Sequence, residues 1–392
     1  MFVSQVLLNL IFFALLVCAS LMLDTAQFAK LSLSLSWVNV LSIVFSFGLD
    51  QAALKLGFER REPGFIAVNV LVKGLLFGIT ASALLLASVV FQVDLDIAVA
   101  AVAAAGVAFW SATRSVEQFR KRFHRLASLN CILTATRAVF GGLALFSHQP
   151  AFILAAVHLA AQLPIHLFTL TKTLNELKGD MRMCLLVPML KVAPIIFVSG
   201  LLFNSLGVTV QQSLYHRGDL AGASAFGVVQ LFIAPISILL ATLRMYFLPR
   251  LLDPDNSSNF KKSELMPLLL LWILLGIGAA CVIGVIIPLV YSTRLPLAEP
   301  FAMSYLSTYV IVAGLGVLNL KSQRGNLIVA DLVTNALRFT ATWILCVLVQ
   351  DARTLVSVAA LVMLAGELSL HLFLCFNQRT TLKSRMAIAP DQ

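Results

Sequence analysis

The chain has 392 residues, 60% of them hydrophobic and 12% charged, with 28 Lys and Arg against 18 Asp and Glu. A mean hydropathy of +0.95 and a charged fraction about half the roughly 25% of soluble domains exclude a soluble globular protein. The net charge of +10 is read as orientation in a membrane; nucleic acid is not an expected partner.

Apolar runs long enough for a roughly 30 Å hydrocarbon core recur along the whole chain, so helices, and not a barrel, satisfy the backbone. Twelve spans are expected, near residues 2–22, 28–49, 64–91, 97–115, 127–147, 150–171, 185–213, 220–246, 266–292, 299–320, 325–349 and 354–376. The fold class is therefore an all-α, polytopic membrane protein.

The first span has no basic region before it and no A-x-A-like site before Asp24, so it is expected to be a retained helix. The third contains Lys73, about nine residues in, where it reaches a lumen or snorkels to the interface. On the fifth, Asn130, Thr134, Arg137 and Gly141 fall at i, i+4, i+7 and i+11, one face of a helix. Arg137 has no acidic residue in its own span.

His158 and His166, on the sixth span, are roughly cofacial, but a metal would need more ligands than the sequence supplies there. The seventh carries Lys191 between Pro188 and Pro194, and Pro194 is expected to break or bend it. Lys191 guards an inward mouth or anchors the helix at the headgroups. Asn204 and Gln211 share a face further along, with Gln212 beside them; such amides bind sugar hydroxyls or tie helices together.

On the eleventh span Asp331, Asn335, Arg338 and Thr342 repeat the spacing seen around Arg137, at an offset of 201. Glu367 follows on the twelfth. A charge at the centre of a span costs roughly 2.5 to 3.5 kcal/mol on insertion scales, so Lys73, Arg137 and Arg338 must face a cavity or a partner. Arg338 either meets an anionic headgroup, which a guanidinium grips in pairs of oxygens, or is neutralised by Asp331 or Glu367.

The six cysteines show no C-x-x-C and no histidine pairing at ligand spacing. No phosphate loop, H-E-x-x-H or Ser/His/Asp arrangement stands out either. An enzyme, a metal and a cofactor are all unexpected.

Numbering the spans alternately puts twenty of the 28 Lys and Arg residues on one side and four, Lys30, Arg217, Arg294 and Arg353, on the other. The positive-inside rule then places both termini in the cytoplasm. The outer joints are short, which leaves no room for the external domain of a polymerase or ligase.

A second set of echoes pairs Asn9 with Asn204, Asp24 with Asp219 and Lys55 with Arg250, at an offset of 195. Two six-helix lobes, 1–180 and 181–392, are expected as parallel repeats about an axis along the membrane normal, with a substrate site between them.

Residues 20–62, SLMLDTAQFAKLSLSLSWVNVLSIVFSFGLDQAALKLGFERRE, resemble the polysaccharide-flippase branch of the multidrug/oligosaccharidyl-lipid/polysaccharide exporter (MOP) superfamily. The resemblance rests on Phe28-Ala29, on the serine-rich second helix and on Gly48-Leu49-Asp50-Gln51-Ala52-Ala53. It implies a Wzx-like flippase of the bacterial inner membrane that moves undecaprenyl-diphosphate-linked oligosaccharide, such as an O-antigen unit, by alternating access. By type and depth Arg137, Arg338, Lys73 and Lys191 match that family's cationic lumen. Asn130, Asn204, Gln211 and Asn335 are polar lumen candidates, and Asp331 and Glu367 are candidates for ion coupling. A polysaccharide polymerase and glycosyltransferases are the implied protein partners. The rival readings are an ion-coupled multidrug exporter, another lipid-precursor flippase and a non-transporting scaffold; exporters favour acids in the first helix, and here that span has none.

Overall fold

The computed structural model describes residues 2–91, 95–160, 182–252, 262–320 and 327–387, together with 162, 165, 168, 171, 175 and 176. Every regular element among them is a helix. The first half contains α1 (Phe2–Met22), α2 (Thr25–Ser46), α3 (Leu49–Arg60), α4 (Gly64–Phe91), α5 (Leu95–Phe119), α6 (Phe123–Leu145) and α7 (Pro150–Ala155). The second contains α8 (Leu186–His216), α9 (Leu220–Leu252), α10 (Lys262–Cys281), α11 (Ile287–Tyr291), α12 (Ala298–Phe301), α13 (Ser307–Leu318), α14 (Leu327–Leu348) and α15 (Ala352–Ala387). Short π turns at Ala156–Ala160, Val282–Ile286 and Ala302–Leu306 extend α7, join α10 to α11 and join α12 to α13.

Ten of the described helices are long and apolar enough to cross a bilayer, and the chain is a multi-pass membrane protein. The expected first and sixth spans contribute the shorter apolar stretches Leu10–Met22 and Pro150–Ala160. The sixth runs out of the described residues before its expected end, and His166 lies outside them, as do the joints at 253–261 and 321–326.

Local chemistry sets several helix ends. Asp24 starts α2 with a capping box: its carboxylate accepts from Gln27 N at 2.7 Å, while Gln27 Oε1 accepts from Asp24 N at 3.4 Å. Phe47 and Gly48, both at positive φ (46° and 68°), stop α2 and allow α3 to begin. The joint after the second span is thus a helix in its own right, not the loop its polarity suggests, and it buries Leu49, Ala52, Ala53, Leu56 and Gly57 at helical spacing. Pro194 does not break α8, which runs unbroken for 31 residues; packing against α2 and α14 holds the helix where one backbone bond is missing.

The extensive helix pairings include α8 on α14, α4 on α5, α2 on α5 and α1 on α6, so each half packs its first helix on its fifth span. The halves meet along α2, which lies against both α8 and α9. Gln211 forms the centre of this seam: its Nε2 donates to Ser32 Oγ at 2.8 Å and its Oε1 accepts from Ser36 Oγ at 2.8 Å. Trp37 Nε1 donates to Gln212 Oε1 at 2.9 Å. At one end of the seam, Tyr291 and Ser20 share a hydroxyl contact of 2.7 Å, and Arg294 donates to the terminal carbonyls of α1. One hydrophobic core, including Phe28, Leu31, Phe226 and Phe301, crosses between the halves.

Candidate functional site: two buried charge clusters and a cavity

In the second half, a chain of hydrogen bonds ties α8, α14 and α15 to the end of α13. Helical spacing puts Asp331, Asn335 and Arg338 on one face of α14, turned toward Ser199 of α8 and Glu367 of α15. Ser199 Oγ donates to Asp331 and accepts from Asn335 Nδ2 at 2.9 Å. Arg338 Nη1 donates to Asn335 Oδ1 at 2.9 Å, and its Nη2 donates to Glu367 Oε2 at 2.8 Å. Glu367 Oε1 also accepts from Asn319 Nδ2 at 2.6 Å, and Asn319 Oδ1 lies 2.9 Å from His371 Nδ1.

Arg338 and Glu367 are both buried, 3% and 5% exposed. Either charge alone would be held at a cost of several kcal/mol; as a hydrogen-bonded pair they are tolerated. Gly366 leaves the space the guanidinium needs, since a Cβ there would stand 2.0 Å from Arg338 Nε. The Arg338 guanidinium lies 5.8 Å from the centroid of Phe203.

This chain of bonds lines a cavity of about 280 Å³ enclosed by α8, α9, α13, α14 and α15, into which Gln51, Asn204, Ser237 and Tyr309 also project. Its wall offers amides and hydroxyls, as sugar recognition requires, and carries Asp331 and Glu367 against Arg338.

The first half holds a separate cluster. Lys73 Nζ pairs with Asp50 Oδ2 and donates to Ser46 Oγ and Ala108 O, both at 3.2 Å. Asn69 Nδ2 donates to Asp50 Oδ1 at 2.8 Å. Arg137, 8% exposed, is placed differently. Its Nε donates to Val157 O at 3.2 Å, its guanidinium stands 5.3 Å from the Phe12 centroid, and with the Gln162 amide turned, that oxygen accepts from Nη2 at 2.8 Å. No carboxylate among the described residues forms an ion pair with it. His158 packs edge-on against the same Phe12 ring, 5.6 Å away.

The four cations expected in one chamber are therefore dispersed. Arg338 and Lys73 are neutralised, by Glu367 and Asp50. Lys191 is exposed on the stripe of α8 that bears Val187, Ile195 and Val198; at about 100° per residue it lies well round the helix from Ile196, Gly200 and Phe203, which line the cavity. It does not approach the polar cavity, and its place near the start of α8 suits an anchor at the interface.

Of the polar candidates, Asn335 and Asn204 line the cavity, with Asn204 Nδ2 bonded to Gly200 O at 2.8 Å. Gln211 belongs to the seam between the halves, and Asn130 is buried on the same face of α6 as Arg137. Asp331 and Glu367 both line the cavity.

Sequence reading missed Asp50, Ser199, Asn319 and His371. Asp50 stood in the quoted motif, yet nothing in periodicity ties it to Lys73 on another helix. Asn319 and Glu367 had no shared spacing to reveal them, since they meet across α13 and α15.

No family model and no curated protein matches the chain. Solved structures do share its fold, that of the MATE transporters of the MOP superfamily. An outward-facing multidrug resistance MATE family transporter aligns with a TM-score of 0.68 at 12% identity, covering 98% of this chain and 95% of that one. A point mutant of the Vibrio cholerae MATE transporter VcmN gives 0.66 at 11% identity, covering 96% and 95%. A Pyrococcus furiosus MOP superfamily transporter, described as having a binding pocket of reverse polarity that suggests a different function, gives 0.58 at 12% identity, covering 95% and 93%.

Proposed function

We propose that the protein is an alternating-access flippase of the bacterial inner membrane, both termini cytoplasmic, for polyprenyl-diphosphate-linked oligosaccharide. The observation that carries the reading is Arg137, a membrane-embedded guanidinium held by a carbonyl, an amide and an aromatic face, with no carboxylate paired to it among the described residues. Retaining such a charge costs free energy, and an anionic headgroup passing between the lobes gives it a function.

The lobes 1–180 and 181–392 rock about the seam at α2, α8 and α9. The diphosphate is drawn to the cationic first lobe, where Arg137 and the Lys73 cluster outnumber Asp50. Sugar hydroxyls meet Asn204, Asn335, Ser237 and Tyr309. A polymerase and glycosyltransferases of the same surface-polysaccharide, or lipopolysaccharide, route are the expected neighbours. A transporter of this fold whose pocket of reverse polarity is described as suggesting a different function supports a cargo for this fold other than that of the multidrug exporters.

A second reading, an ion-coupled exporter of cationic compounds, is favoured by the two carboxylates that face one guanidinium in the cavity of the second half. The test is the leaflet distribution of lipid-linked glycan in cells lacking the protein, complemented with wild type and with Arg137→Ala. Accumulation on the cytoplasmic leaflet, cleared by wild type and not by the variant, supports the flippase. An unchanged distribution, together with lost tolerance to cationic compounds, overturns it in favour of the exporter.

A further inference from the structure

Beside the polar cavity lies a second hollow of about 250 Å³ whose lining is apolar, formed by α9, α10 and α13. Two residues, Leu240 of α9 and Ala313 of α13, belong to the walls of both. On its far side the hollow opens to lipid, for α10 is the least covered of the spans and Leu269 on its rim is 49% exposed.

Its floor is built to stay open. Trp272 Nε1 donates to Val310 O at 2.9 Å, which fixes the indole across the groove. Gly314 makes this possible: a Cβ there would stand 2.2 Å from the Trp272 ring. Small residues on α13 thus admit the indole along one face and, through Gly316, meet the polar cavity on the other.

A polar cavity and a lipid-facing apolar slot that share a low wall have the shape of an amphiphile. We propose that this groove seats the head-proximal part of the cargo lipid's polyprenyl chain, so that the headgroup is held in the adjoining cavity while the rest of the chain stays in the bilayer. The inference deepens the flippase reading and rests on it. The volume agrees with a partial occupant, being below the roughly 300–1,000 Å³ of pockets that enclose a whole ligand.

The groove gains little from the hydrophobic effect, since lipid tails are already as apolar as leucine. Its contribution is positional: a chain lying across Leu240 and Ala313 brings the sugars to the cavity mouth and removes the search for the right orientation.

A benzophenone amino acid placed at Leu269, on the groove rim, is compared with one at Leu372, 56% exposed on α15 and part of neither hollow. The protein is reconstituted in nanodiscs containing phospholipid and radiolabelled undecaprenyl diphosphate bearing one N-acetylglucosamine. Irradiation is expected to label position 269 with the probe several-fold more than position 372, and Leu240→Trp, which fills the shared wall, is expected to reduce the yield at 269 alone.

If the probe binds the protein but labels both positions equally, or if position 269 yields only phospholipid adducts, the groove is not its seat and the inference is overturned. If the probe binds no better than to empty nanodiscs, the flippase reading itself fails, an outcome told apart by the missing bound fraction.

Discussion

Arg338 and Glu367 meet at 2.8 Å across α14 and α15, each buried in the membrane-embedded part of the second half. Removing one partner leaves the other charged and unpaired. Arg338→Met or Glu367→Leu alone is therefore expected to destabilise the protein by about 3–5 kcal/mol, and the double variant by much less, because a buried pair replaced as a unit by apolar groups is often neutral. Thermal unfolding of the detergent-solubilised protein measures the cycle. A loss in the double variant equal to the sum of the two single losses would mean that the pair is not coupled.

The Asp50–Lys73 pair makes a parallel case in the first half. Asp50→Asn keeps the shape and the hydrogen bond to Asn69 but deprives a 1% exposed ammonium of its counter-charge. A loss of about 3–5 kcal/mol is expected, recovered in large part when Lys73→Met is added. Transport by the double variant then separates roles: if it still moves cargo, the pair is structural, and if it is stable but inactive, Lys73 or Asp50 acts on the cargo.

These two pairs mark what the sequence could and could not convey. The spans were legible because hydrocarbon imposes length and apolarity on each segment independently. The burial of Lys73, Arg137 and Arg338 was legible for the same reason, and so was the shared face of Asp331, Asn335 and Arg338, which is local helical geometry. Partner choice was not: Glu367 could be weighed as a neutraliser of Arg338, but Asp50 as the partner of Lys73 depends on how α3 packs against α4. For Lys191 the sequence left a mouth and an anchor open, because which neighbours its exposed stripe of Val187, Ile195 and Val198 meets depends on how α8 packs. Helix α3 was missed because its polar side chains hide a buried stripe of small and apolar residues.

Gly48 offers a test of close packing where the halves meet. It sits at φ 68°, and a Cβ there would come 2.5 Å from the carbonyl oxygen of Ala193, a backbone atom of α8 that cannot rotate away. Gly218 has φ 78° with open space around it. Gly218→Ala should cost only the left-handed strain of roughly 1–2 kcal/mol. Gly48→Ala should add about 1–3 kcal/mol of overpacking, so its thermal midpoint should fall further. Equal midpoints for the two variants would show that α8 shifts freely against α2 and α3.

In the segment that links the halves, Glu176 is held by Arg122 at 2.9 Å, by Arg125 at 3.5 Å and by Arg120. Partial burial pushes its carboxyl up, but the hydrogen bond and charge of Arg122, with the charges of Arg120 and Arg125, outweigh it and hold the group below the ordinary glutamate range. Glu117 also faces this cluster, 3.1 Å from Arg125, and three guanidiniums against two carboxylates leave the balance positive. A depressed carboxyl contributes its attachment in full above the unfolded-state value, roughly 4.3, and loses it as pH falls through the lower folded value. A spin label at Asn175→Cys is therefore expected to be immobilised at neutral pH and to loosen only below the ordinary titration range of glutamate. Glu176→Gln should leave the label looser at neutral pH and remove the acid transition; a transition that persists in that variant would assign the tether to another group.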